Sequence, residues 1–332
     1  MRKNLTAISI ICIAAMMTVG CKSAQQSSDN KDETTSSKVA FNFQSGSNIP
    51  DGFDDYGETK SAEELLKATG YEYDLDSLTY ELVWEDNFDG DSLNLDNWTY
   101  EIGTGSWGWG NNEIQYYTDG GNDTVADGLL TIELRKETDE NGREKVTSTR
   151  IKTAGKADFK YGKFEMRAKL PQGKGTWPAF WMMPTKSAYG SWPASGEIDI
   201  MEFVGYSPYY SYNTVHNKSF NGGNGMQKGS PTKVDGLSEE FHTFCLEWLP
   251  DKMIFYTDGV ESFTYDPHEY ADTVTSDQWP YDQEFYMILN FAWGGNWGGA
   301  QGVDESCLPQ KYQIDYVRVY QSPEITALTA DK

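Results

Sequence analysis

Between Thr79 and Tyr320 the chain is a succession of short runs in which apolar and polar residues alternate, separated by Gly, Asp and Asn. The clearest runs are YELVWEDNF, GLLTIELRK, GKFEMRAKL, WPAFWMM, GEIDIMEFV, SYNTVHN, FHTFCLEWL, KMIFYTDG, FYMILNFAW and YQIDYVRVY. Alternation with period two puts successive side chains on opposite faces of a strand. Helical spacing is scarce, and no repeat with a period of about 20–50 residues is present. Many short strands with turn residues between them predict an all-β fold, a β-sandwich jelly roll of two antiparallel curved sheets. One sandwich of about 200–250 residues accounts for this span.

The ends follow different rules. Arg2 and Lys3 precede a mostly apolar stretch from Leu5 to Met17. It is shorter than the about 20 residues of a spanning helix and reads as an export signal. The segment TVGC ends at Cys21 and resembles a bacterial lipoprotein box, with Thr18 in place of the usual Leu-like residue. Residues 1–20 are therefore expected to be a signal peptide and Cys21 a lipid site. The chain would be exported and held on a membrane, at the cell surface or in the periplasm, only through that lipid; ordinary cleavage with secretion is the alternative. Residues 21–78 read as a polar tether with a short helix at Ser61–Ala68, where Ser61 and Glu64 form a capping-box pattern. Residues 79–321 form the folded domain, and 322–332 a C-terminal tail.

Composition narrows the partners. Lys and Arg number 27 against 51 Asp and Glu, a formal charge of −24, so the basic footprint of a nucleic-acid reader is missing. All 11 Trp lie between Trp84 and Trp297, more flat amphipathic side chains than a core alone requires. Cys12 leaves with the signal. Cys245 and Cys307 would either pair in an oxidising compartment or remain buried thiols. No CxxC pair offers a structural zinc framework.

The segment GEIDIMEFVG carries the candidate chemistry. Period two places Glu197 and Asp199 on one face and Ile198 and Ile200 on the other. The next acid comes one residue late, at Glu202. A β-bulge at Ile200–Met201 would return Glu202 to the acidic face and Phe203 to the core. Three like charges on one strand face oppose folding, but they suit chemistry in which one carboxyl stays protonated while another is ionised. Two carboxyls about 5–5.5 Å apart make a retaining glycosidase. Glu197 and Glu202 would stand some ~13 Å apart at Cα, at ~3.3 Å per residue, a gap that two leaning Glu side chains largely close.

Aromatic residues surround this strand in sequence. In TWPAFWMMP, Trp177, Ala179 and Trp181 share a face, a stacking surface for the apolar faces of sugar rings. The loop GSWGWGNNEIQYYT adds Trp107 and Trp109 with Asn111, Asn112, Glu113 and Gln115 as polar rim. Trp192 could line the same cleft. His216, in YNTVHN, is placed to donate to a sugar hydroxyl or an acid.

These motifs resemble glycoside hydrolase family 16, whose mark is Glu-x-Asp-x-x-Glu on a bulged strand. Here that pattern is Glu197, Asp199 and Glu202, and GWGNNEIQYYT, WPAFWMMP, LNFAWGG and DYVRVYQ resemble the laminarinase-type members over about residues 79–321. The resemblance implies a jelly roll with a concave glycan cleft and retaining endo-hydrolysis of β-1,3-glucan or mixed β-1,3/1,4-glucan. It implies Glu197 as nucleophile, Asp199 as its helper and Glu202 as acid/base, with Trp109, Asn111, Arg150, Trp177, Trp181 and His216 at cleft contacts. The chemistry needs no cofactor. A structural calcium ion on the convex side would use Asn87, Gly128 and Asp315. Hydrolysis of another β-glycan such as agar or porphyran, or non-catalytic carbohydrate binding on the same sandwich, are the competing readings. The partner is a polysaccharide and the chain is expected to be a monomer.

Overall fold

The structure, a computed structural model, describes residues 71–330. The leader, Cys21, most of the tether and the Ser61–Ala68 helix lie outside the described residues. Eighteen strands follow in chain order: β1 (Glu81–Asp86), β2 (Thr99–Tyr100), β3 (Tyr116–Tyr117), β4 (Asp123–Ala126), β5 (Leu129–Thr138), β6 (Glu144–Ser148), β7 (Arg150–Lys152), β8 (Asp158–Phe159), β9 (Gly162–Lys169), β10 (Thr176–Pro184), β11 (Glu197–Phe203), β12 (Tyr210–His216), β13 (Lys228–Lys233), β14 (His242–Trp248), β15 (Met253–Thr257), β16 (Val260–Tyr265), β17 (Phe285–Trp293) and β18 (Gln310–Gln321). Helix α1 (Pro323–Thr329) closes the described chain.

Two sheets result. One runs β16-β15-β14-β9-β18-β5-β6-β3, with β1 also on β18 and β4 on β5. The other runs β13-β12-β11-β10-β17-β7-β2, with β8 also on β17. Every pairing is antiparallel except β3 with β6. All ten alternating runs of the sequence became strands. The edge strand β13, KGSPTK, escaped that reading because Gly and Pro have poor strand propensity, and Pro231 is tolerated only where no inner ladder bond is lost.

Alternation decides what fills the interior. Phe180 and Met182 of β10, Ile198 and Phe203 of β11, and Phe285, Met287, Leu289, Phe291 and Trp293 of β17 all join one core between the sheets. The opposite parity of the same strands faces outward. Trp177 and Ala292 pack there with Trp297, and Met183, Tyr286 and Ile288 with Trp181 and Trp192.

The domain is wider than the 79–321 read from the sequence. Tyr73 packs on the core and its hydroxyl donates to Asp251, while Leu78 packs beside it. At the other end, 322–330 is no loose tail. Ser322 caps α1 by accepting from the Ile325 amide, and Ile325 enters the main core. The cap pattern Ser-Pro-Glu is a helix-start signal that a strand-dominated reading passed over.

Candidate active site

The acidic strand lies third in its sheet, between β10 and β12. Two glycines bracket it. Gly196 has φ +90, and a Cβ there would meet Tyr281 Cε1 at 2.7 Å. At Gly205 a Cβ would lie 1.8 Å from the Gly173 carbonyl oxygen, so only glycine allows that backbone approach.

The expected bulge is present. On the β10 side, Asp199 pairs with Trp181 and Met201 with Phe180, which leaves Ile200 without a register partner. On the β12 side, Asp199 pairs with Thr214 and Glu202 with Tyr212, so Ile200 and Met201 together oppose Asn213. Ile200, Met201 and Phe203 are all fully buried in the main core. The extra residue is absorbed inward, and Glu202 emerges on the face of Glu197 and Asp199.

Each outer carboxylate receives an indole N–H. Trp192 Nε1 donates to Glu197 Oε2 at 2.6 Å, and Trp177 Nε1 donates to Glu202 Oε1 at 3.0 Å. Asp199, only 2% exposed, lies between them. His216 pairs in register with Glu197, and its Nε2 is 3.2 Å from Asp199 Oδ2. The Gly222 amide donates to His216 Nδ1 at 3.0 Å, so the ring proton of the neutral imidazole sits on Nε2, facing the aspartate. Glu197, Asp199 and His216 each offer a polar atom within 4.8 Å of the others.

Burial and mutual repulsion set the protonation. Burial first, then the Asp199 charge, push the Glu197 carboxyl up to about 8, against the opposing pull of His216 and the Trp192 N–H. Burial raises Asp199, and its hydrogen bond with Glu197 opposes that rise. Glu202 is raised well above the carboxylate range, by burial and then by Asp199, against the Trp177 N–H. Three such groups cannot all ionise near neutral pH, so at least one carries a proton where another is charged.

The aromatic residues expected as an open stacking surface are largely inside the wall. Trp177 is 8% exposed and stands edge-on to Trp297 at 5.5 Å, with Tyr212 edge-on to the far ring. Trp181 is half-buried, and its Nε1 donates to Asn290 Oδ1 at 2.7 Å. Arg150 is buried. Its guanidinium lies 4.5 Å from the Trp109 ring and 4.9 Å from the Trp181 ring and is ion-paired with Glu101. Arg150 therefore props two indoles from behind. Trp109 is buried as well, against Tyr117 at 5.4 Å.

The loop of residues 107–112 is held by the turn after β17. Asn112 Nδ2 donates to Asn296 Oδ1 at 2.9 Å, and the Asn296 amide donates to the Asn111 carbonyl at 2.7 Å. The Asn111 side chain is bonded to buried Glu113. Burial lifts Glu113 to about 7, against Arg150, Gln115 and Tyr117. Trp107 is the exposed aromatic of this loop, at 68%. Sequence reasoning missed Asn290, Trp297 and Glu101. The signal for Asn290 was present: it is a polar residue inside the otherwise apolar run FYMILNFAW.

The family profile of Glycosyl hydrolases family 16 matches residues 106–318, the span that holds this strand and both of its tryptophan partners. The chain belongs to glycoside hydrolase family 16. It is similar to the Beta-glucanase of Rhodothermus marinus, 45% identical over 249 residues that cover 73% of this chain and 85% of that one. A Glucan endo-1,3-beta-glucosidase of Cryptopygus antarcticus is 39% identical over 254 residues, covering 71% and 90%. Among solved structures, the laminarinase from Rhodothermus marinus superposes with a TM-score of 0.70 at 43% identity, over 74% of this chain and 99% of that chain. The family 16 assignment makes the chain a glycoside hydrolase whose chemistry needs no cofactor.

Two of the residues expected to hold a calcium ion have arginine partners. The Asp315 carboxylate is ion-paired with Arg167, and Asn87 Oδ1 accepts from Arg318 Nη2 at 2.9 Å. One Asp315 carboxylate oxygen and the Asn87 amide oxygen thus face guanidinium groups, while Gly128 has only its backbone carbonyl to offer. Cys245 and Cys307 are both free thiols.

Proposed function

We propose that this chain is a retaining endo-β-1,3-glucanase acting on laminarin-like or mixed β-1,3/1,4-glucan. The observation that carries the reading is the bulged strand, which turns Glu197, Asp199 and Glu202 onto one face and gives each outer glutamate its own indole donor. The similarity to a Glucan endo-1,3-beta-glucosidase and to a laminarinase structure supports the substrate class. In the first step the Glu202 proton passes to the glycosidic oxygen as the C1–O bond breaks, and a Glu197 carboxylate oxygen bonds to C1. In the second, Glu202, now a carboxylate, takes a proton from water while the water oxygen bonds to C1 and releases Glu197. Two inversions leave the configuration unchanged.

Asp199 acts beside Glu197. When Asp199 carries the shared proton it stabilises the Glu197 carboxylate by hydrogen bonding, and His216 Nε2 lies 3.2 Å from Asp199 Oδ2. The tryptophans Trp181 and Trp107 supply the sugar-stacking faces, with Trp177 and Trp109 as the packed wall behind them. Proton NMR of fresh laminarin digests is the decisive test: the first reducing ends formed should be β. An initial α-anomer would end the retaining reading, and turnover on agarose but not on laminarin would end the glucan assignment.

The chain is also proposed to be exported and lipid-anchored through Cys21. Radiolabelled palmitate should enter the wild-type protein and not Cys21→Ser; label in both would exclude this anchor.

A further inference from the structure

Asn213 stands on β12 at the parity of Val215, a main-core residue, and is 1% exposed. A primary amide in an apolar interior costs free energy unless its polar atoms are used. Here both ends are used. Nδ2 donates to the Ile200 carbonyl at 2.6 Å, and Oδ1 accepts from Ser262 Oγ at 2.7 Å. Ser262 belongs to β16, the edge strand of the opposite sheet. Ile200 is the bulge residue that has a register partner on neither neighbouring strand. One side chain therefore ties the irregular peptide of the acidic strand, through the core, to the other sheet.

We propose that Asn213 is a positioning residue for the hydrolysis: it holds the Ile200 carbonyl and so fixes how Glu202 turns back beside Glu197 and Asp199. The consequence for turnover rests on the functional reading above. The geometric reason is short range. Only Ile200 and Met201 separate Asp199 from Glu202. Any rotation of the Ile200–Met201 peptide is passed directly to the direction of the Glu202 side chain. An apolar residue would fill the Asn213 site as well by volume, yet it would leave the bulge carbonyl unheld and the Ser262 hydroxyl unpaired. Ser262 in turn fixes which way the amide points, with its oxygen toward β16 and its donors toward the bulge.

Three variants test this: Asn213→Leu, the near-isosteric Asn213→Asp, and Ser262→Ala. Amide hydrogen exchange over residues 198–203 reads the bulge directly, and steady-state kinetics on a laminari-oligosaccharide read the consequence. Both Asn213 variants should exchange about tenfold faster at Met201 and Glu202 than the wild type, with the flanking strands unchanged. Their kcat should fall about a hundredfold, the cost of a misplacement near 1 Å, with KM within about threefold. Ser262→Ala keeps the Nδ2 bond and should lose less than about tenfold in kcat. If Asn213→Leu fails to fold, Asn213→Asp decides on the same readings. Wild-type exchange at the bulge together with kcat within about threefold of wild type would overturn the proposal, as would uniformly faster exchange through β11 and β12. If the wild type hydrolyses no β-glucan, the functional reading fails, and exchange at Met201 and Glu202 still decides whether Asn213 holds the bulge.

Discussion

Replacing Trp177 by Phe would remove one hydrogen bond from Glu202 and keep an aromatic ring in the wall. The indole N–H donates to Glu202 Oε1 at 3.0 Å from a position only 8% exposed, so water does not readily replace it. A hydrogen bond to a charged group contributes about 1.5–3 kcal/mol and one to a neutral group about 0.5–1.5 kcal/mol. The bond therefore favours ionised over protonated Glu202 by about 1–1.5 kcal/mol, which is about one pKa unit at 1.36 kcal/mol per unit. In the native site this donor works against burial and Asp199, which both raise Glu202. Trp177→Phe should thus raise the apparent pKa of the acid by about one unit. The first step needs Glu202 protonated, so the basic limb of kcat/KM should move to higher pH. The second step needs Glu202 as a base, and a tighter proton at a fixed geometry favours that base once it is ionised. The assay is the pH dependence of initial rates on a laminari-oligosaccharide, with kcat/KM reporting the free enzyme. The three carboxyls titrate together, so the limb belongs to the cluster, but the direction of its movement does not depend on that division. A basic limb that stays in place or moves to lower pH in a folded Trp177→Phe protein would refute the argument.

Asp199→Asn should move both limbs of the kcat/KM profile to lower pH, because Asp199 raises both Glu197 and Glu202; an unmoved profile would show that burial alone sets these groups. Trp181→Ala should weaken oligosaccharide binding by about tenfold, taking ~1–3 kcal/mol for stacking on an aromatic face, with a further loss in kcat from the unsupported Arg150 and Asn290. Titration calorimetry in a Glu197→Ser background measures the binding part, and equal affinities would assign Trp181 to the wall alone.

Several levels of this molecule are decided locally and could be read along the chain. Alternation with period two is a property of neighbouring residues, so the ten strands, the inward parity of Phe180 and Met182, and the jelly-roll class follow from the run pattern itself. The same local rule exposes the acidic bulge: Glu202 arrives one residue late, and a strand can restore such an acid to its face only by bulging. What the sequence could not decide is which distant groups meet there. Trp192 and Trp177 reach Glu197 and Glu202 because β10, β11 and the loop before β11 converge, so residues read as sugar-stacking faces also serve as donors to the acids. The place of Arg150 between Trp109 and Trp181 depends on β7 pairing with β17 and on a loop docked at the strand end. The partners of Asp315 and Asn87, Arg167 and Arg318, were likewise chosen by the register of the sheet. Hydrogen bonds and ion pairs act over a few ångströms, so their partners are chosen by how strands from opposite ends of the chain come into register, which no local pattern specifies.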